Sequence, residues 1–182
     1  MTHSHRRPKL MKPSGMIFPE PRPVTDDRFF RDALGRFATG ITVITCRDPG
    51  TGQPQGFTAN SFSSLSLDPP LVLFSLRREA QCLPAFLGSG AFAVNVLAHD
   101  QMEVSARFAS SDPDRWAGIE HAVWSTGAPI LPEMLASFEC RTVATHEGGD
   151  HVIFIGEVLA LSTPREAPPL LYFRGAYQTL KV

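Results

Sequence analysis

Hydrophobic positions follow two rhythms along this chain. Phe29, Phe30, Ala33, Leu34 and Phe37 recur at helical spacing and give one apolar face. Thr25 precedes them as a helix cap, and the spacing predicts a helix to about residue 38, closed by Gly40. Beyond it most of the chain reads as short extended runs. Residues 41–46 are β-branched and predict a strand. Residues 48–56 hold two prolines and three glycines and predict a turn. Further strands are expected from residue 57, over 71–76 and over 91–97. Residues 138–145 and 151–161 flank Glu147-Gly148-Gly149-Asp150, the pattern of a hairpin. Closing strands are expected over 170–173 and 176–180. Residues 80–87 predict a short helix closed by Gly88 and Gly90. Asp100 and Glu103 are spaced as a capping box and open a helix to about residue 108.

Seven or eight strands with few helical crossovers imply antiparallel pairing. The expected fold is mainly β, a β-barrel with flanking helices. Residues 1–24 contain Pro8, Pro13, Pro19, Pro21 and Pro23 without periodicity, so they are expected to form a flexible N-terminal arm. Residues 25–182 are expected to form one domain, in keeping with a length of 182.

Composition narrows the function. The chain is 43% hydrophobic and 19% charged, as in soluble globular proteins. A net charge of -1 argues against a nucleic-acid or anionic-membrane partner. Arg6 and Arg7 are followed by no apolar core of a signal peptide, and no run is apolar enough to cross a bilayer. Cys46, Cys82 and Cys140 are widely separated and odd in number, which fits reduced thiols in the cytoplasm.

Candidate chemistry concentrates in residues 56–76, GFTANSFSSLSLDPPLVLFSL. Thr58, Asn60, Ser61, Ser63, Ser64 and Ser66 offer hydrogen-bonding groups without charge, and Pro69-Pro70 fix a turn. Such a segment can hold a polar planar ligand along its edge. Composition alone favours the other reading, a Ser-rich loop between strands. Rossmann, P-loop and nucleophile-elbow patterns are absent. His146 and His151 bracket H-E-x-x-x-H, one residue longer than the zincin spacing. Gly148-Gly149 would break the helix that motif needs, so no metal site is expected. His151 opens a hydrophobic strand after a tight turn and reads either as a polar group at a barrel mouth or as a strand-end histidine on a carbonyl. Arg77 and Arg78 read as phosphate ligands or surface charges. Arg107 reads as an anion ligand or as the complement of a helix C-terminus. Tyr172 and Arg174 read as a site wall and a phosphate contact, or as a core aromatic and a solvated charge.

Read in order, FRDALGRFATGITVIT, GFTANSFSSLSLDPPLVLFSL, FAVNVL, SARFA, GGDHVIFIGEV and PLLYFRGAY resemble the flavin reductase family. The likeness is to the small NAD(P)H-dependent reductases that serve two-component flavin monooxygenases. It covers about residues 29–179 and leaves out the proline-rich arm. The resemblance implies a split β-barrel, a homodimer, and FMN or FAD as flavin with NADH or NADPH as hydride donor. By position it implies that Thr58, Ala59, Asn60 and Ser61 hold the ribityl chain and phosphate. Ser66, Leu67 and Asp68 would follow the isoalloxazine edge, and Ser75, Leu76 and Arg77 would complete the cradle. Arg107, Phe108 and Ala109 would lie near the phosphate end, and His151 near the nicotinamide, as the catalytic candidate. Tyr172 and Arg174 are retained as candidate cofactor contacts. Hydride would pass from nicotinamide to flavin, and reduced flavin would go to a partner monooxygenase. The alternatives are a flavoprotein that retains FMN as an electron carrier or flavin-binding module, and a non-catalytic split barrel.

Overall fold

A computed structural model of the chain describes residues 20–180. Most of the expected N-terminal arm lies outside the described residues. Its last five residues, 20–24, have no regular secondary structure. The first half of the domain runs α1 (Asp27–Leu34), β1 (Thr39–Gly40), β2 (Thr42–Arg47), β3 (Pro54–Ala59), β4 (Ser63–Leu67), β5 (Pro70–Arg77) and α2 (Leu83–Ser89). The second half runs β6 (Ala91–Val96), α3 (Met102–Ala109), β7 (Ala122–Val123), β8 (Pro129–Ile130), β9 (Ala136–Gly148), β10 (His151–Ser162), β11 (Leu170–Phe173) and β12 (Ala176–Thr179).

Seven strands form one antiparallel sheet in the order β3-β2-β6-β9-β10-β5-β4. It curls but does not close, because no ladder joins β3 to β4. A three-stranded sheet, β1-β11-β12, and the short β7-β8 pair flank it. The expected antiparallel, mainly β architecture is therefore present, as an open split sheet rather than a closed barrel.

Two cores lie on either side of β2. Ile44 and Cys46 pack with Phe74, Phe86, Phe92 and Phe154, and Val43 packs with Leu97, Phe108, Leu131 and Leu170. Phe74 stacks on Phe154 at 4.9 Å and meets Phe92 edge-on at 4.9 Å. Burying rings of this size stabilises the fold by about 1.5–3 kcal/mol each. Gly156 makes the cluster possible: a Cβ there would lie 2.6 Å from Phe92 Cε1 and 3.0 Å from the Cys140 Cβ. All three cysteines are buried and reduced.

Asn95 and Glu139, buried in the sheet, have hydrogen-bond partners, whereas the Thr142 hydroxyl of β9 has none among the described residues. Asn95 Nδ2 donates to the Val43 carbonyl at 3.1 Å, and Asn95 Oδ1 accepts from the Leu131 amide at 2.9 Å. Glu139, 1% exposed, accepts from the Thr126 amide at 2.7 Å and from the Ser125 and Thr126 hydroxyls at 2.8 Å each. Burial works to raise this carboxyl, and the three donors outweigh it, so it sits below the usual carboxylate range.

Several local expectations shift. Asp26, not Thr25, caps α1, accepting from the Arg28 amide at 2.8 Å. The helix ends at Leu34: the Arg36 and Phe37 amides bond three residues back, to Ala33 and Leu34, and the Gly35 carbonyl accepts from the Arg174 amide at 2.8 Å. Phe37 and Gly40 therefore fall outside it. The apolar face is real but bare: Phe29, Phe30, Leu34 and Phe37 are 47–77% exposed. Asp100 does not cap α3. Its carboxylate holds Arg165, at 2.6 and 3.1 Å, and Gln101 takes the cap position. Residues 63–67 are not a loop but the edge strand β4, paired with β5.

Candidate functional site

Where β5 ends, the sheet supports a cleft of about 500 Å³. Phe57 and Thr58 of β3 form one wall, and Leu76 and Arg77 of β5 another. The turn 79–82 and the C-terminal end of α3 (Phe108 and Ala109, with Ser110 and Ser111) complete it, with Arg115 at the rim.

Alternation along β5 separates two adjacent arginines. Arg77 faces the cleft. Arg78 turns the other way, donating from Nε to the Gly149 carbonyl at 3.0 Å and pairing with the Glu147 carboxylate. It thereby fastens the β9–β10 turn to β5. That turn brings His151 opposite Arg77 in register. The His151 side chain is 33% exposed, and its Nδ1 lies 2.7 Å from Asp150 Oδ1. The hydrogen bond to His151, and then the charge of that ring, hold the Asp150 carboxyl below its ordinary value.

The expected site residues divide into three groups. Thr58, Leu76, Arg77, Phe108 and Ala109 line the cleft, and His151 stands beside Arg77. A second group supports the cleft from behind. Thr58 Oγ1 donates to the Ser105 carbonyl at 2.6 Å, joining β3 to α3. Ala59 is buried in the aromatic core. Ser61 Oγ donates to the Ser75 carbonyl at 3.1 Å and accepts from the Ser75 amide at 3.0 Å. Arg107 donates from Nε to the Arg115 carbonyl at 2.7 Å and from Nη2 to the Ala117 carbonyl, so its guanidinium pins a loop. Asn60 is exposed in the bend after β3.

The third group lies elsewhere. Ser66, Leu67 and Asp68 sit at the far end of β5, where Leu67 pairs with Pro70. Six residues of strand, about 20 Å, separate that end from Leu76 within one chain. Tyr172 packs against Tyr177 at 5.9 Å in the second core. Arg174 lies over the Phe173 ring at 5.2 Å, in the β11–β12 turn.

Sequence reasoning missed Phe57, the turn residues 79–82, Ser110, Ser111 and Arg115 in the lining. An available signal for Arg115 was its place between the turn residues Asp112-Pro113-Asp114 and Trp116.

The chain is a small open antiparallel β domain with a cleft of hydroxyl, aromatic and arginine side chains. Residues 34–181 match the flavin reductase like domain, and the chain belongs to that family. It is 47% identical over 152 residues to the flavin-dependent monooxygenase reductase subunit HsaB of Rhodococcus jostii, covering 84% of this chain and 77% of HsaB. It is 43% identical to the FMN reductase (NADH) SmoA of Agrobacterium fabrum, covering 84% and 85%. Among solved structures, nitrilotriacetate monooxygenase component B of Mycobacterium thermoresistibile superposes with a TM-score of 0.80 at 44% identity, covering 85% and 86%. The Streptomyces globisporus NADH:FAD oxidoreductase SgcE6, in complex with NAD and FAD fragments, superposes at 0.79 with 34% identity, covering 88% and 96%.

Proposed function

We infer that this chain is an NAD(P)H:flavin oxidoreductase whose reduced flavin serves a partner flavin-dependent monooxygenase. The observation that carries the reading is the cleft at the end of β5, in a chain that belongs to the flavin reductase family. Its volume falls in the range of small-molecule sites, about 300–1,000 Å³. Phe57 and Leu76 offer apolar surface for a ring system, and Arg77 and Arg115 offer cations for an anionic tail. Both FMN and FAD meet that description, and relatives are named for each.

A bound flavin would supply the acceptor for a hydride from reduced nicotinamide, and would gain a negative charge in doing so. The protein's task is to hold two rings in contact and to stabilise that negative charge. The cleft contains no pair of carboxylates for acid–base work; Glu79 is its one carboxylate, and neutral side chains with two arginines fit the task. His151, steadied by Asp150, stands next to Arg77 where a nicotinamide would approach from solvent. NADH and NADPH are both compatible with this open arrangement.

The bare apolar face of α1 and the 94%-exposed Leu67 support a homodimer. Among the described residues no helix is long and apolar enough to cross a membrane. A cytoplasmic enzyme with one flavin-binding domain that begins near residue 25 accords with the reading.

The test is a steady-state matrix of NADH and NADPH against riboflavin, FMN and FAD. Nicotinamide oxidation that depends on added flavin is expected. No oxidation with any pair overturns the reading. Stoichiometric flavin retained through purification, with no dependence on added flavin, would instead identify an electron carrier.

A further inference from the structure

Residues 112–117 carry one side chain into the cleft, and two independent contacts hold that segment in place. From below, Trp116 packs on β3 at Gly56: a Cβ on Gly56 would lie 3.1 Å from Trp116 Cζ2 and 3.1 Å from Phe108 Cε1, so only a glycine admits this approach without displacement. Trp116 and Phe108 meet edge-on at 4.9 Å. From the side, Arg107 donates to the Arg115 and Ala117 carbonyls, on either side of Trp116. The segment is therefore gripped by its backbone and by its tryptophan, and Arg115 is left to face the cleft.

The Arg115 guanidinium is only partly committed. Its Nε donates to the Asp112 carbonyl at 3.0 Å, and Nη1 lies 3.5 Å from the Gly56 carbonyl, a weak contact. Nη2 has no partner among the described residues. Cys82, which precedes α2, lines the same cleft as Arg115. The charged side chains lining the cleft are Arg77, Arg115 and Glu79, so cations outnumber carboxylates by two to one. Ser110 and Ser111 add hydroxyls beside Arg115.

We propose that Arg115 reads the phosphate of a phosphorylated flavin in this cleft and that Arg107 is its positioning residue. The assignment rests on the flavin-reductase reading above. The resemblance sets Arg107 near the phosphate end, but its Nε and Nη2 donate to carbonyls, and the assignment gives the anion contact to a residue eight positions later. A guanidinium whose Nη2 is unspent and whose Nη1 is only weakly held suits a phosphate monoester or pyrophosphate. Its consequence is selectivity: FMN and FAD are favoured over riboflavin, which presents the same ring without the anion.

The test compares FMN and riboflavin affinities, by flavin fluorescence titration, for the unaltered protein and for Arg115→Gln, Arg115→Lys and Arg107→Gln. Thermal unfolding confirms that each variant is folded. Arg115→Gln is expected to weaken FMN about 10- to 100-fold and riboflavin by less than about twofold. Arg115→Lys should recover part of the FMN loss, because charge returns without the planar fork. Arg107→Gln should lower the FMN-to-riboflavin affinity ratio in the same direction, which a purely structural role would not do. Equal weakening of both flavins, or unchanged FMN affinity, in Arg115→Gln overturns the assignment alone. Failure of the unaltered protein to bind either flavin overturns the cleft reading and the assignment with it.

Discussion

Ser61→Ala separates a strand tie from a ligand contact. The β4–β5 ladder pairs Ser63 with Leu73, and the same antiparallel register sets Ser61 opposite Ser75. There β4 has not yet begun, and the Ser61 hydroxyl takes the place of a backbone partner, bonding both the Ser75 amide and its carbonyl. Removing it leaves two half-buried backbone groups without that partner. A buried unsatisfied group costs about 1–3 kcal/mol, so two half-buried ones should cost about 1–2 kcal/mol together. For a chain of this size each kcal/mol lowers Tm by about 2–4 °C, which predicts a fall of about 2–8 °C. Differential scanning fluorimetry reads the Tm, and flavin titration at a temperature where the variant is folded reads the affinity. The affinity should change by less than about threefold, under 1 kcal/mol. A tenfold loss of flavin affinity with unchanged Tm would refute the tie and make the hydroxyl a ligand. No change in either quantity would show that the two bonds contribute nothing.

Three further outcomes are expected. Asp150→Asn and His151→Gln should each slow hydride transfer in stopped-flow mixing by about tenfold with flavin affinity retained, as for a positioned polar group of modest effect; equal rates in both variants and the unaltered protein would refute a role for the pair. Glu139→Gln should lower stability at neutral pH by about 2–4 kcal/mol, because an amide meets donors arranged for a carboxylate. The native carboxyl lies below its ordinary value, so this contribution is full above the usual carboxylate range and fades as pH falls through the folded value. The Tm gap between Glu139→Gln and the unaltered protein should therefore narrow in acid, and a constant gap would contradict the assignment. Gly156→Ala should cost about 1–3 kcal/mol through overpacking against Phe92, and an unchanged Tm would show that the ring yields freely.

The strand succession was legible because β5, β6, β9 and β10 carry their own signals: β-branched or alternating apolar runs, and a hairpin centred on Gly149. β4 was less so. Ser63, Ser64 and Ser66 have weak strand propensity, and only the partner β5 makes them a strand. Local rules failed where a distant partner competed. Asp100 has the spacing of a cap, but Arg165, 65 positions away, takes its carboxylate. For Arg107 the sequence left an anion ligand and a complement to the helix C-terminus both open, and its contacts with the carbonyls of Arg115 and Ala117 depend on a loop that local spacing does not reveal. The resemblance located the cleft region through Thr58, Leu76, Arg77 and Ala109. It could not tell which hydroxyls face a ligand and which brace the strands, because that depends on contacts such as Ser61 with Ser75 and Thr58 with Ser105.

The buried thiols bear on how long such an enzyme survives its own product. Reduced flavin that escapes into aerated solution reacts with dioxygen to give hydrogen peroxide, and peroxide attacks sulfur as thiolate. Burial pushes the Cys46 and Cys140 thiols up to about 12 and raises Cys82, which lines the cleft at 7% exposure. Even the sulfur nearest the source of oxidant is thus kept protonated and shielded. Packing that builds the hydrophobic core also confers oxidative durability, without a dedicated protective group.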